Sequence, residues 1–179
     1  MSLRDITKDL HTDAERTLFA KKLVTGALTT EEYAKYLWQM VLVYNGIEVA
    51  ANSQGMLKNL PDIERAHKIY QDCIELVGPQ HQLRWLPETI DYYQYLLALN
   101  YSDRKHLVKA HLYCRHMGDL FGGQMIAKKV PGQGRFYQFK DPEALKAAIR
   151  AELTDDLGDE ARVAFEWAIK LMKALNTEL

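Results

Sequence analysis

The stretch Tyr113-Cys114-Arg115-His116-Met117-Gly118-Asp119-Leu120-Phe121-Gly122-Gly123-Gln124 sets three glycines and an aspartate inside a segment of otherwise helical period. Each glycine in a helix interior costs about 1 kcal/mol relative to alanine, so three together need a reason. Gly118 and Gly122, four apart, share one face and leave it without side chains. Asp119 stands one position off that bare strip. A second helix, a turn at a helix end, or a flat ligand can lie against such a face. Arg115 and Asp119 are one turn apart and can form an intrahelical ion pair, worth about 0.3–0.5 kcal/mol when exposed.

His11 is the second candidate for chemistry. Glu15 follows it by one turn, and a carboxylate there can accept a proton from one ring nitrogen while the other binds a metal. The plain alternative is an ordinary surface or core histidine. Lys146 and Arg150, also one turn apart, form a small basic face that is either solvated or an anion clamp. His67, His81, His106 and His116 have no evident partner and read as surface groups. His111 reads as a satisfied helix histidine. The sequence has no Gly-rich phosphate loop, nucleophile elbow, His-Glu-x-x-His or Cys-x-x-Cys.

These residues need a frame, and the chain supplies one of ordinary size. At 179 residues it suits a single domain with a real core. Lys and Arg total 23 against 24 acids, which gives no bulk electrostatic case for nucleic acid or anionic membrane. Cys73 and Cys114 make no disulfide framework and suit a reducing compartment. The charged N-terminus lacks a signal-peptide core and no run is long and apolar enough for a membrane span. The expectation is a soluble, cytoplasmic protein.

Helical period dominates the chain. Leu3, Ile6, Leu10, Ala14 and Leu18 predict one first helix, stopped at Gly26. Thr29 with Glu31 and Glu32 predicts the start of a second, carrying Tyr33 to Glu48 and ending near Gly55. Pro61 opens a third, closed by Gly78-Pro79. Pro87 to about Leu99 is a fourth, and Ser102 or Asp103 caps the stretch that runs into the glycines. A loop follows Lys129, and Phe136 to Phe139 is the only strand-like segment. Asp141-Pro142-Glu143 starts a helix through Leu145 to about Leu153, and the last runs from Asp159 to about Asn176. With no repeat or linker, the prediction is one all-α domain over residues 1–179.

Arg115 through Gln124 resembles the heme oxygenase signature, an Arg followed by Gly-Asp-Leu, one residue, then Gly-Gly-Gln. His11-Thr12, Ala14 and Glu15 are similar to that family's proximal-histidine motif, and Tyr44 with Glu48 agrees on the second helix. The resemblance runs from Arg4 to about Arg150 and is weakest between Asn52 and Leu99. It implies an all-α, single-domain helical bundle with heme b, both substrate and cofactor, between the first helix and a Gly-rich kinked distal helix. His11 would then be the iron ligand, oriented by Glu15. Gly118, Gly122 and Gly123, with Phe121 among them, would let the distal backbone lie over the porphyrin. Asp119 would hold a distal water cluster, supported by Tyr44, Tyr113 and Arg115. Arg4, Lys146 and Arg150 would bind the propionates.

The implied reaction uses O2 and electrons from a reductant protein. It passes through ferric hydroperoxide and cleaves heme at a meso carbon, α by expectation, to biliverdin, CO and Fe2+. The implied electron donor is a ferredoxin, with a flavoprotein reductase as the alternative, and the implied state is a monomer without nucleic-acid partner or membrane anchor. Phe121 departs from the family's usual Ser, His116 and Met117 from Tyr and Leu, and Cys114 from Thr. The missing apolar tail sets the chain nearer the short soluble members of bacteria, cyanobacteria and their viruses. Two rivals stand beside this reading: a non-catalytic heme carrier or sensor on the same fold, and a different all-α enzyme acting on a smaller nitrogen heterocycle.

Overall fold

The computed structural model describes residues 2–178 and is helical throughout, with no strand among them. In chain order the α-helices are α1 (Leu3–Arg16), α2 (Leu18–Thr25), α3 (Thr30–Ser53), α4 (Ala66–Val77), α5 (Pro87–Asn100), α6 (Val108–Phe121), α7 (Gly123–Ile126), α8 (Pro142–Ala151) and α9 (Gly158–Thr177). Short 3-10 turns lie at Lys105–Leu107, Arg135–Tyr137 and Asp155–Leu157.

α3 is the axis. Thr29 and Glu32 close a capping box at its start, satisfying two of the amide donors that a helix N-terminus otherwise strands. Most of its faces are apolar, and Tyr33, Leu37, Val43, Ile47 and Ala50 are wholly buried. A helix apolar on most faces must be covered on most faces. α4, α5 and α6 pack against it, while α9 lies across α1, α2, α5 and α6.

The predicted first helix is two helices. Thr17 leaves helical geometry at φ −59°, ψ 145° and its hydroxyl accepts from the Ala20 amide. It thereby caps α2 and resets the helical register, which puts Leu18 outward at 56 % exposure instead of on the apolar stripe. Gly26 ends α2 in the left-handed conformation at φ 74°, as its residue type predicts.

Pro61 does not open the third helix, which begins at Ala66. Asp62, at φ 63°, is a left-handed residue that a helix cannot pass through. Its carboxylate instead accepts from Lys68 Nζ at 2.7 Å and the Lys140 amide at 3.0 Å. α4 has no local cap. Glu48 of α3 supplies one, accepting from the Arg65 amide at 2.5 Å and the Ala66 amide at 3.1 Å. Ser102 likewise does not cap α6: its hydroxyl donates to Leu99 O at 2.8 Å and accepts from the Arg104 amide at 3.1 Å, closing α5, and a 3-10 turn leads into α6. The strand-like segment is the 3-10 turn of Arg135–Tyr137 followed by extended Gln138. The Asp141 cap, the Pro142 start and the final helix are as predicted.

Candidate functional site

The glycine segment is built for space rather than for unusual backbone. None of Gly118, Gly122 and Gly123 has a positive φ, so none is needed for a left-handed turn. α6 stops at Phe121, yet Gly122 remains helical at φ −68°, ψ −33° and α7 follows at once. The three then separate by what faces them. A methyl on Gly123 would meet Tyr137 Cδ1 at 2.5 Å, so this glycine admits the tyrosine ring. One on Gly122 would meet only Gly118 O, at 3.4 Å. One on Gly118 would meet nothing within 4 Å among the described residues. A packed helix therefore explains the bareness of Gly123 and not that of Gly118, which opens outward.

Beside this opening sits a buried acid. Asp119 is 8 % exposed, and Tyr44 of α3 donates its hydroxyl to Asp119 Oδ2 at 2.5 Å. Burial pushes the Asp119 carboxyl up to about 7, against the opposing pull of His116, Tyr44 and Arg115. His116, expected at the surface, is fully buried. Its Nδ1 approaches Leu112 O at 3.1 Å and its Nε2 approaches Glu48 Oε1 at 3.4 Å, so it lies between the α4 cap and Asp119. Arg115 Nε and Nη2 are buried without a hydrogen-bond partner among the described residues.

The basic residues gather at the edge of the same wall. Phe121, 50 % exposed, carries Lys146 Nζ 4.2 Å and the Arg150 guanidinium 5.4 Å from its ring centroid, both within cation–π range. Lys146 also pairs with Glu143 at 2.7 Å. The half-buried Tyr113 phenol has Arg4 and Arg150 as its nearby cations. So α8 brings two cations to Phe121 of α6, and Arg4 of α1 acts with Arg150 on the Tyr113 phenol of α6.

His11 and Glu15 lie on an exposed face of α1. His11 Nδ1 faces Glu15 Oε1 at 3.6 Å, a charge approach longer than a direct hydrogen bond. The imidazole stands edge-on to Phe165 of α9, with centroids 5.6 Å apart. No group of three or more His, Cys, Asp or Glu among the described residues can hold a metal ion. A metal on His11 would need most of its ligands from outside the chain, as a porphyrin provides. The donor set and the bare Gly118 fit heme on that ground.

Sequence reasoning missed three residues that shape this region. Tyr137 fills the notch at Gly123. Phe165 holds His11 from the far end of the chain. Arg65, wholly buried, donates to Gln138 O at 2.6 Å and Ile63 O at 3.2 Å and stacks 4.1 Å from the Phe139 centroid. A buried arginine carries no local signature; only the carbonyls brought to it by the fold identify it.

The architecture and the site together define an all-α protein with a histidine-bearing helix and a separate distal wall of bare backbone beside a buried acid. A family model for heme oxygenase matches residues 1–174. The chain belongs to the heme oxygenase family. It is 29 % identical to heme oxygenase 1 of the cyanobacterium Nostoc sp., over 99 % of this chain and 85 % of that protein. It is 28 % identical to heme oxygenase 1 of Bos taurus, over 98 % of this chain and 70 % of that protein. In fold it resembles heme oxygenase-1 of Synechocystis in complex with heme, with a TM-score of 0.87 at 24 % identity, over 98 % of this chain and 91 % of that one. It also resembles the heme oxygenase of Leptospira interrogans, with a TM-score of 0.82 at 24 % identity, over 97 % of this chain and all of that one.

Proposed function

We propose that this chain is a heme oxygenase that binds heme b between α1 and α6. It opens the macrocycle at a meso carbon, the α carbon, to biliverdin, CO and Fe2+, using O2 and electrons from a ferredoxin or, alternatively, a flavoprotein reductase. When bound, heme supplies both the iron that activates O2 and the carbon that is oxidised. The observation that carries the reading is Gly118. Its missing side chain leaves open space one residue from an acid that burial holds near neutrality.

His11 would hold the iron, with the Glu15 carboxylate 3.6 Å from its Nδ1. Gly118 and Gly122 would offer the macrocycle backbone in place of side chains. Asp119 holds a proton near pH 7 and passes it into the distal space, the pKa match that general acid catalysis needs. Tyr44 orients that carboxyl through its 2.5 Å hydrogen bond, and Arg115 and Tyr113 complete the surrounding polar groups. Arg4, Lys146 and Arg150 take the propionates as charge-assisted partners, fixing heme rotation and with it the carbon attacked.

Heme titration followed by turnover with ferredoxin, its reductase and O2 tests this. The expected result is one heme per chain, decay of the Soret band, and biliverdin IXα on chromatography. Stoichiometric heme that persists without biliverdin or CO makes the chain a carrier, and no heme binding removes the reading altogether. His11→Ala should weaken heme binding at least tenfold and stop turnover, with partial recovery on adding imidazole.

A further inference from the structure

Phe121 is a large apolar side chain left half in solvent, so filling the core does not account for it. Its place on the helix and its partners do. Phe121 follows Gly118 by three and precedes Gly122 by one, which sets it at the border of the bare strip of α6. Its ring also lies under two side chains of α8. Lys146 Nζ is 4.2 Å and the Arg150 guanidinium carbon 5.4 Å from the ring centroid. One residue thus joins the glycine wall to the cations at its edge.

The way it holds them is particular. Lys146 and Arg150 are one turn apart on α8, and like charges at that spacing repel. Lys146 is only 8 % exposed, so its stem is packed and its ammonium needs a favourable neighbour. Glu143 offers one at 2.7 Å, but the glutamate side chain is 82 % exposed and a pair of that kind is weakly held. A carboxylate also neutralises the cation it holds. The face of an aromatic ring attracts a cation through its quadrupole and carries no net charge. Phe121 therefore fixes both side chains and leaves both charges for an anion. A small side chain at 121 would offer no such surface, and Lys146 would be left to Glu143 and solvent.

We propose that Phe121 is a positioning residue for anion binding: it ties Lys146 and Arg150 to the distal wall and thereby sets how the heme carboxylates are seated. The inference rests on the heme site proposed above; the clasp between ring and cations does not. Cations fixed in advance lose less side-chain freedom when a carboxylate arrives, which raises affinity for it. Preference for a porphyrin with two free carboxylates is then set partly by a residue that makes no charged contact of its own with them.

Two measurements test this. In the full heme-free chain, NMR of the lysine ε-methylene groups reads the clasp, with the Lys146 signal assigned from Lys146→Gln. That signal should lie upfield in the ring current of Phe121, move to the free-lysine position in Phe121→Leu, and stay upfield in Phe121→Trp. A signal at the free-lysine position in the unaltered chain overturns the clasp. Titration with ferric heme and with its dimethyl ester then reads the link to the carboxylates. Phe121→Leu should lower the preference for heme over the ester about three- to tenfold, and Phe121→Trp should restore it. The effect should vanish once Lys146 and Arg150 are both glutamine. Equal losses for heme and ester would make Phe121 a wall of the pocket and overturn the inference, as would an effect on the preference that persists without the two cations. An unaltered chain that takes up heme and ester equally overturns the inference and leaves heme binding standing, whereas one that binds neither removes both.

Discussion

Asp119 carries opposite demands. Its carboxyl is buried, so the charged form is disfavoured, while Tyr44 and the neighbouring cations favour charge; burial wins and the group titrates near 7 instead of near 4. An acid whose folded pKa is raised binds its proton more tightly in the native state. Its presence therefore costs no stability below about pH 4, and the cost grows as pH rises to about 7. Asp119→Asn should leave the heme-free protein nearly unchanged at pH 4 and stabilise it by a few kcal/mol at pH 8, measured as urea midpoints across that range. Greater stability of the aspartate form at pH 8 would show that the site favours the ionised acid. Removing the Tyr44 hydroxyl withdraws a group that lowers this pKa, so Tyr44→Phe should move the titration higher still. The Asp was legible in the sequence through its motif. Its neutrality was not, because it arises from burial among elements distant in sequence, which outweighs the opposing pull of His116, a residue that sequence reasoning placed at the surface.

Among the elements, the interrupted helix of α6 and α7 shows how far residue type alone can be read. Three glycines in one helical stretch announced a missing surface, and the structure divides that surface between two causes. Gly123 admits Tyr137, whereas Gly118 faces open space. The two should respond differently to the same change. Gly123→Ala forces a methyl into the Tyr137 ring, and overpacking of this kind costs about 1–3 kcal/mol. Gly118→Ala meets no atom and gains helix propensity, so the heme-free protein should be unchanged or more stable by up to about 1 kcal/mol. Heme titration should then reverse the order of severity, with Gly118→Ala losing affinity despite its sound fold. Equal heme affinity in Gly118→Ala would mean that no ligand lies on that strip. Elsewhere, helix ends marked by local chemistry were readable: Thr29, Gly26, Gly78 and Asp141 act where their side chains or φ angles act. Boundaries set from a distance were not. Thr17 turns the chain inside an unbroken apolar period, and α4 begins where Glu48 reaches it from α3.

For the molecule as a whole, the site depends on buried polar groups that tie distant segments together. Glu160 of α9, 1 % exposed, receives Tyr95 of α5 at 2.5 Å, Arg104 at 3.0 Å and His111 of α6 at 2.9 Å. This network fixes α6 against the helix whose Phe165 holds His11, so it links the two sides of the proposed heme site. Arg65 does the same on the other flank. Its guanidinium holds the carbonyls of Asp62, Ile63, Phe136 and Gln138, and thereby places the 3-10 turn that presses Tyr137 into the Gly123 notch. Arg65→Met keeps most of the stem volume but removes the guanidinium donor from those carbonyls, while the Asp62 carboxylate keeps Lys68 and the Lys140 amide. Each buried acceptor so stranded costs about 1–3 kcal/mol, and the total loss should be at least about 3 kcal/mol in urea unfolding. Because the Tyr137 turn is the element released, amide exchange should accelerate first across residues 134–140 and at Gly123, before the α9 network opens. Exchange rising uniformly over the chain would instead make Arg65 a general core group with no particular hold on the distal wall.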